Sequence, residues 1–163
     1  CIIDATALSV IDYTKDKFKR LPRYSILTPH YGELMKMLKI TKDEAYNNTI
    51  NILNEISKHL RERIMILKGP NTIIVNGKNE KFIINNGNSL LSTAGTGDVL
   101  SGILSSYLAG GYSLEESAIL GVYVHGEASK LLLEDNLENI SANQLIDLIP
   151  RSQHIIRRSV NEL

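Results

Sequence analysis

Apolar positions fall into two rhythms along this chain. Unalternating runs at Cys1–Asp4, Tyr24–Leu27 and Ile64–Leu67 read as short strands, the last buried on both faces. Ile73–Val75 and Phe82–Ile84 flank Asn76-Gly77-Lys78-Asn79, which predicts a hairpin. The other rhythm is helical. It predicts a helix over Ala5–Lys17 and a second carrying Leu34, Met35, Met37 and Leu38. A third runs from a capping box at Thr41 and Glu44 to Arg63, with Ala45, Ile52, Leu53, Ile56 and Leu60 on one stripe. Val99, Leu100, Ile103, Leu104, Tyr107 and Leu108 mark one face of a further helix that Gly110-Gly111 should stop. A capping box at Ser113 and Glu116 opens a helix carrying Ala118, Ile119, Val122, Ala128, Leu131 and Leu132, in which Gly121 and Gly126 permit close packing. Ser141 starts a short helix over Leu145–Ile149, and Pro150 is expected to open the last one, Arg151–Leu163. Strands alternating with helices, followed by a hairpin, give an α/β fold: a mostly parallel sheet with a β-hairpin at one edge.

The length of 163 residues suits one core. Lys plus Arg equals Asp plus Glu, at 18 each, and no basic block stands out, which argues against nucleic acid as a partner. No run of 18 apolar residues occurs, so no transmembrane helix is expected. The one cysteine, Cys1, makes no disulfide framework and fits a reducing, intracellular setting. The chain opens without Met and already in strand-like sequence, so it is expected to be the C-terminal part of a longer protein.

Candidate chemistry gathers between Asn85 and Tyr107. Ser92-Thr93-Ala94-Gly95-Thr96-Gly97-Asp98 is a loop of small residues running straight into a helix N-terminus. The first-turn N–H groups there lack helical partners and the dipole favours an anion, so the loop suits phosphate oxygens. It is not a P-loop, because no G-x-x-x-x-G-K-S/T occurs. Asp98 does not fit a passive phosphate cradle. Either it caps the helix, or it takes a proton from a substrate hydroxyl beside amides that stabilise the resulting anion. Three other positions carry polar groups at strand ends. Asp4 is a ligand-facing carboxylate or a turn residue. His30 and Glu33 sit at a strand-to-helix junction, where Glu33 could simply complement the dipole. Lys68, before Gly69-Pro70-Asn71-Thr72, suits a phosphate or is a solvated turn lysine. His125, inside a helix, reads first as a core or packing histidine and second as part of the site, and no second histidine stands at zinc-ligand spacing.

Four segments in order carry a resemblance. Ile3-Asp4-Ala5-Thr6-Ala7-Leu8-Ser9 resembles a D-A-D-A-L-N motif. Leu27-Thr28-Pro29-His30-Tyr31-Gly32-Glu33-Leu34 resembles T-P-H-x-G-E. Leu67 to Thr72 resembles L-K-G-x-x-T. Asn85 to Gly102 resembles N-x-G-N followed by T-A-G-T-G-D-V-L-x-G, and Gly121 to Gly126 is also typical. Together they resemble the ADP-dependent (S)-NAD(P)H-hydrate dehydratases, a carbohydrate-kinase-like branch of the ribokinase-like superfamily. Thr6 and Ser9 depart from the first motif, and Ser89-Leu90 from a stretch that is commonly Pro/Ala-Gly.

The resemblance implies a ribokinase-like three-layer α/β/α sandwich, of which residues 1–163 would be the C-terminal part of a single dehydratase domain. The missing part would supply further strands and some of the dinucleotide pocket. The implied activity is metabolite repair: ADP-dependent dehydration of the S form of hydrated NADH or NADPH. His30 and Asp98 would contact that substrate, with Asp98 as the base. Lys68, Gly69, Pro70, Asn71, Thr72 and Gly97 would hold the nucleotide. The amides of Ala94, Gly95, Thr96 and Gly97 would form the anion hole, and Glu33 would hold Mg²⁺ through water. T-P-H-x-G-E favours ADP over ATP. The resemblance also implies a cytoplasmic homo-oligomer, a tetramer, with an epimerase domain as a possible upstream neighbour. Two other functions use the same residues: a small-molecule kinase for a hydroxymethylpyrimidine or thiazole alcohol, and a non-catalytic nucleotide-binding module.

Overall fold

The computed structural model describes residues 1–134 and 140–161, with Val160 and Asn161 as backbone only. A five-stranded sheet has the order β1 (Ile2–Ile3), β2 (Ile26–Leu27), β3 (Ile64–Leu67), β4 (Thr72–Asn76), β5 (Lys81–Ile84). The first three strands are parallel and in register: Ile3 faces Leu27, and Leu27 faces Met65. β3, β4 and β5 then pair antiparallel, so the expected hairpin forms one edge.

Helices cover both faces. α1 (Thr6–Ser9), α2 (Tyr13–Asp16), α3 (Tyr31–Leu38), α4 (Lys42–Asn47) and α5 (Thr49–Leu60) belong to one side, and α6 (Thr96–Ala109), α7 (Leu114–Glu134) and α8 (Ala142–Asn161) to the other. β3 shows why. Met65 and Leu67 pack with Leu34, Met37, Leu53 and Ile56, whereas Ile64 and Ile66 pack with Leu100, Leu104, Ala118 and Val122. All four β3 side chains are buried, as the unalternating run requires. A third cluster, including Val99, Ile103, Val124, Ala128 and Leu145, joins α6, α7 and α8. This is the three-layer arrangement expected. Among the described residues no helix is long and apolar enough to cross a membrane.

Several boundaries differ from expectation, each for a local reason. The Ala5–Lys17 helix is two single turns. Leu8, Ile11, Tyr13 and Phe18 all face the core, a spacing that no one helix satisfies, and Lys17 and Phe18 take left-handed φ of 46° and 67°. The Thr41–Arg63 helix keeps its capping box but breaks at Asn48, where φ is −119° and ψ 19°. A 3₁₀ turn, Ser89–Ser92, precedes the glycine loop and is capped by Asn88, whose Oδ1 accepts from the Leu90 N–H at 3.0 Å. α8 runs unbroken through Pro150, where two helices were expected. Pro150 is exposed, and Leu145, Leu148, Ile149 and Ile156 on both sides of it join the third cluster, so packing outweighs the one missing hydrogen bond. The end of the expected tail helix, Glu162 and Leu163, lies outside the described residues.

Close packing of α6 on α7 depends on Gly121, where an added Cβ would meet Leu104 Cδ2 at 2.5 Å. Gly121→Ala should lower the unfolding free energy by about 1–3 kcal/mol. At Gly102, within α6, a Cβ meets nothing within 4 Å. There the same change should raise it by about 0.5–1 kcal/mol, because glycine is a poor helix former. Urea denaturation of the two variants measures both, and equal effects would contradict the packing.

Candidate functional site

Parallel register sets the site. It brings the carboxyl ends of β1, β2 and β3 to one sheet edge, where ligands bind in open α/β sheets. Asp4 follows β1, His30 follows β2 and Lys68 follows β3. His30 and Lys68 are bridge partners, and the Lys68 N–H donates to the Pro29 carbonyl at 2.8 Å. The N-terminus of α6 meets this edge. Together they wall a cavity of about 730 Å³, whose lining includes Asp4, His30, Glu33, Lys68, Gly97 and Asp98.

The glycine loop is shaped for an anion. Gly95 is the N-cap of α6 with φ +89°, a left-handed conformation suited to glycine, and no side chain caps the helix. The Thr96 N–H already donates to the Thr93 carbonyl at 3.3 Å, and the Val99 N–H to the Gly95 carbonyl at 3.1 Å. Among the described residues the N–H groups of Ala94, Gly95, Gly97 and Asp98 have no partner. The Asp98 carboxylate is exposed and equally without a partner, so it does not cap the helix by a hydrogen bond. A Cβ on Gly97 would stand 3.5 Å from Lys68 Nζ and 3.8 Å from Asp4 Oδ2. The bare Gly97 therefore leaves a gap between amides and ammonium.

His30 is the N-cap of α3. Its Nδ1 accepts from the Glu33 N–H at 3.2 Å, and Glu33 Oε2 accepts from the His30 N–H at 2.8 Å. Because Nδ1 is the acceptor, the neutral ring carries its proton on Nε2, which stands 3.7 Å from Glu33 Oε2 at the cavity wall. Gly32 makes room for this ring, since a Cβ there would approach His30 Cε1 to 2.8 Å. Glu33 therefore caps α3, as one reading of the sequence allowed, and also lines the cavity.

Lys68 does not project as a solvated turn lysine. Its Nζ donates to Asp4 Oδ1 at 3.0 Å, with the two side chains only 22% and 15% exposed. Ser101 Oγ donates to Asp4 Oδ2, also at 3.0 Å. Burial alone would push the Asp4 carboxyl up. The hydrogen bond from Lys68 and its charge outweigh burial and hold the carboxyl below its ordinary value. Asp4 therefore lines the cavity with both carboxylate oxygens engaged. Ser101 was not singled out from the sequence. Its signal is its place three residues after Asp98, one turn along the same helix.

α7 braces the loop from behind. His125 Nε2 lies 2.9 Å from the Thr96 carbonyl, which can only accept, so Nε2 carries the proton. Burial pushes His125 down to about 4, so the ring is neutral. Asn88 Nδ2 donates to Ser129 Oγ at 2.9 Å and Asn86 Nδ2 to the Tyr123 carbonyl at 2.7 Å. Gly126 permits the last contact, because a Cβ there would collide with the Asn86 amide. His125, Asn86 and Asn88 all line the cavity, although packing was the first of the two readings for His125. Of the nucleotide and anion-hole residues expected, Lys68, Gly69, Pro70, Thr72, Gly95, Thr96 and Gly97 line the cavity, whereas Asn71 and Ala94 are exposed beside it. Among the described residues no group of three or more His, Cys, Asp or Glu is arranged to hold a metal.

The family described as NAD(P)H-hydrate dehydratase matches residues 1–151. The chain is 33% identical over 163 residues to the bifunctional NAD(P)H-hydrate repair enzyme Nnr of Dictyoglomus turgidum, covering 96% of this chain and 30% of that protein. It is 32% identical over 135 residues to the ADP-dependent (S)-NAD(P)H-hydrate dehydratase of Neisseria meningitidis, covering 82% and 45%. The solved ADP/ATP-dependent NAD(P)H-hydrate dehydratase of Bacillus subtilis, co-crystallised with ATP/Mg²⁺, superposes with a TM-score of 0.82 at 27% identity, over 94% of this chain and 53% of that one. The fold is ribokinase-like, and a ribokinase-like superfamily protein of Enterococcus faecalis shares it with a TM-score of 0.70 at 24% identity. The chain spans about a third to about half the length of these relatives. It belongs to the NAD(P)H-hydrate dehydratase family.

The buried neutral His125 gives stability a pH dependence of known sign. Its folded pKa of about 4 lies below the ordinary value of 6.5, so the unfolded chain binds the proton more tightly. This contribution is complete above pH ~6.5 and is lost as pH falls towards 4, about 2 kcal/mol of it by pH 5. His125→Gln keeps an N–H donor and removes the titration. Chemical denaturation at pH 7 and pH 5 should show a smaller difference for that variant than for the unsubstituted protein.

Proposed function

We propose that this member of the NAD(P)H-hydrate dehydratase family contributes the phosphoryl-transfer half of an ADP-dependent dehydration of hydrated NADH or NADPH. The observation that carries the reading is one cavity holding a carboxylate, Asp98, and amides that have no partner among the described residues, beside a half-buried ammonium. A base beside an anion hole is what transfer of a phosphoryl group to a hydroxyl needs.

Asp98 takes the proton from the ring hydroxyl as its oxygen attacks the terminal phosphorus of ADP, and AMP leaves. The amides of Gly95, Gly97 and their neighbours, with Lys68, meet the charge that builds on the transferred group. Phosphate is then a far better leaving group than hydroxide. The ring nitrogen lone pair expels it, the adjacent ring carbon loses a proton to solvent, and NAD(P)H remains. His30, with a donor on Nε2, orients the hydrated ring. Lys68 to Thr72 hold the nucleotide phosphates.

Mg²⁺ fits the donor set. Asp4, Glu33 and Asp98 face the cavity against one ammonium, leaving an excess of two carboxylate charges that an entering polyphosphate would oppose. The ion would neutralise phosphate charge, bound mainly by phosphate oxygens and water with Glu33 as its protein anchor, since Mg²⁺ keeps several waters. The same reading puts the protein in the cytoplasm and takes the chain as the C-terminal part of one domain, with further strands joining the outer edge of β1. The relatives' greater length supports that division.

The test uses the protein that carries this sequence, incubated with hydrated NADH and Mg²⁺ plus ADP, ATP or neither. Dihydronicotinamide absorbance should return with ADP, with AMP released in equal amount. Return only with ATP would reassign the donor. A stable phosphorylated product would assign a small-molecule kinase instead. Asp98→Asn should lower turnover by roughly 10²–10⁴-fold while nucleotide affinity changes little. Unchanged turnover would exclude Asp98 as the base, whereas nucleotide binding with no turnover in the unsubstituted protein would favour a nucleotide-binding module.

A further inference from the structure

We propose that Asp4 is a positioning residue for the phosphoryl transfer, acting through Lys68, with Ser101 as its second anchor. This rests on the functional reading above. Both oxygens of the carboxylate are engaged by different elements: Lys68 Nζ from the end of β3 on Oδ1, and Ser101 Oγ from α6 on Oδ2, each at 3.0 Å. The carboxylate therefore ties the lysine to the helix whose N-terminus forms the anion hole. A Cβ on Gly97 would stand 3.5 Å from the Lys68 ammonium and 3.8 Å from Asp4 Oδ2, so the ammonium is held across a gap from the unpartnered amides, beside the place a transferred phosphoryl group would take. Backbone strain supports a fixed orientation. Ala5, next to Asp4 and lining the same cavity, takes φ 48° and ψ −123°, which a non-glycine residue keeps only where its surroundings demand it.

The placement does not serve affinity. A carboxylate beside a phosphate site cancels much of the lysine's attraction for an anion already bound. Its benefit is geometric. Lysine carries its charge on a flexible four-carbon stem, and misplacement of a catalytic group by about 1 Å can cost on the order of 100-fold in rate. Asp4 uses one of the three ammonium donors and leaves two for charge that grows on the phosphoryl oxygens as it transfers. Ser101 stops the carboxylate from rotating. In Asp4→Asn the ion pair with Lys68 is lost and only a neutral oxygen is left to hold the ammonium, while the new NH₂ can donate to Ser101 Oγ.

A kinetic cycle tests this. Asp4→Asn and Ser101→Ala are each made alone and on a Lys68→Met background, and kcat, the Kd of ADP with Mg²⁺ and the melting temperature are measured. Asp4→Asn should lower kcat about 10-fold or more while the ADP Kd stays within about 3-fold, and Ser101→Ala should act in the same direction by about 3-fold. Both losses should vanish on the Lys68→Met background, because residues that act through one another are not additive. Ser101→Ala keeps the test decisive if Asp4→Asn folds poorly. An unchanged kcat for both variants, or equal losses with and without Lys68, overturns the proposal. ADP binding without turnover in the unsubstituted protein overturns the functional reading instead, and the proposal with it.

Discussion

The site depends on the in-register parallel pairing of β1, β2 and β3. Because these strands run the same way and end level, three chain segments far apart in sequence deliver a carboxylate, an imidazole and an ammonium to one edge. Register is held by burial. β2 and β3 are apolar on both faces, so a slip of one residue would exchange the partners of every side chain. The core that stabilises the sheet is also the ruler that spaces the site.

The other half of the site comes from the opposite layer and needs its own support. A helix N-terminus with unpartnered amides is a local cost that a ligand relieves. Here α7 carries the bracing: His125 on the Thr96 carbonyl, Ser129 on Asn88, and the Tyr123 carbonyl on Asn86. These polar contacts sit among buried groups, where a satisfied network is rigid. Asn86 Oδ1 is the exception, buried without a hydrogen-bond partner against Gly126. The Asp4–Lys68 pair joins the two halves, with Ser101 reaching it from α6.

The sequence made the architecture legible where one physical effect dominated. Ile64–Leu67, the Asn76–Asn79 hairpin and the capping boxes at Thr41 and Ser113 each depend on residues close in sequence, and all form as expected. The glycine loop was legible for the same reason: small residues run straight into a helix whose N-cap, Gly95, takes a left-handed φ and whose first turn carries Asp98. What escaped depends on contacts distant in sequence. Ser101 reaches Asp4 across 97 residues and His125 reaches Thr96 across 29, and the place of Ser101 one turn after Asp98 does not reveal its distant partner. Pro150 shows the converse. Its local signal to break a helix is real, but packing on both sides overrides it. The split at Asn48 and the turns between Ala5 and Lys17 likewise follow from which side chains the core must admit.

The central claim of the proposed function is that the hydroxyl of hydrated nicotinamide leaves as phosphate, with Asp98 acting as base beside the unpartnered amides. Substrate labelled with ¹⁸O at the ring hydroxyl tests it directly. After turnover with ADP, mass spectrometry should find the label in inorganic phosphate. Label recovered in water, with none in phosphate, would contradict the account, because the hydroxyl would then have left without ever being phosphorylated.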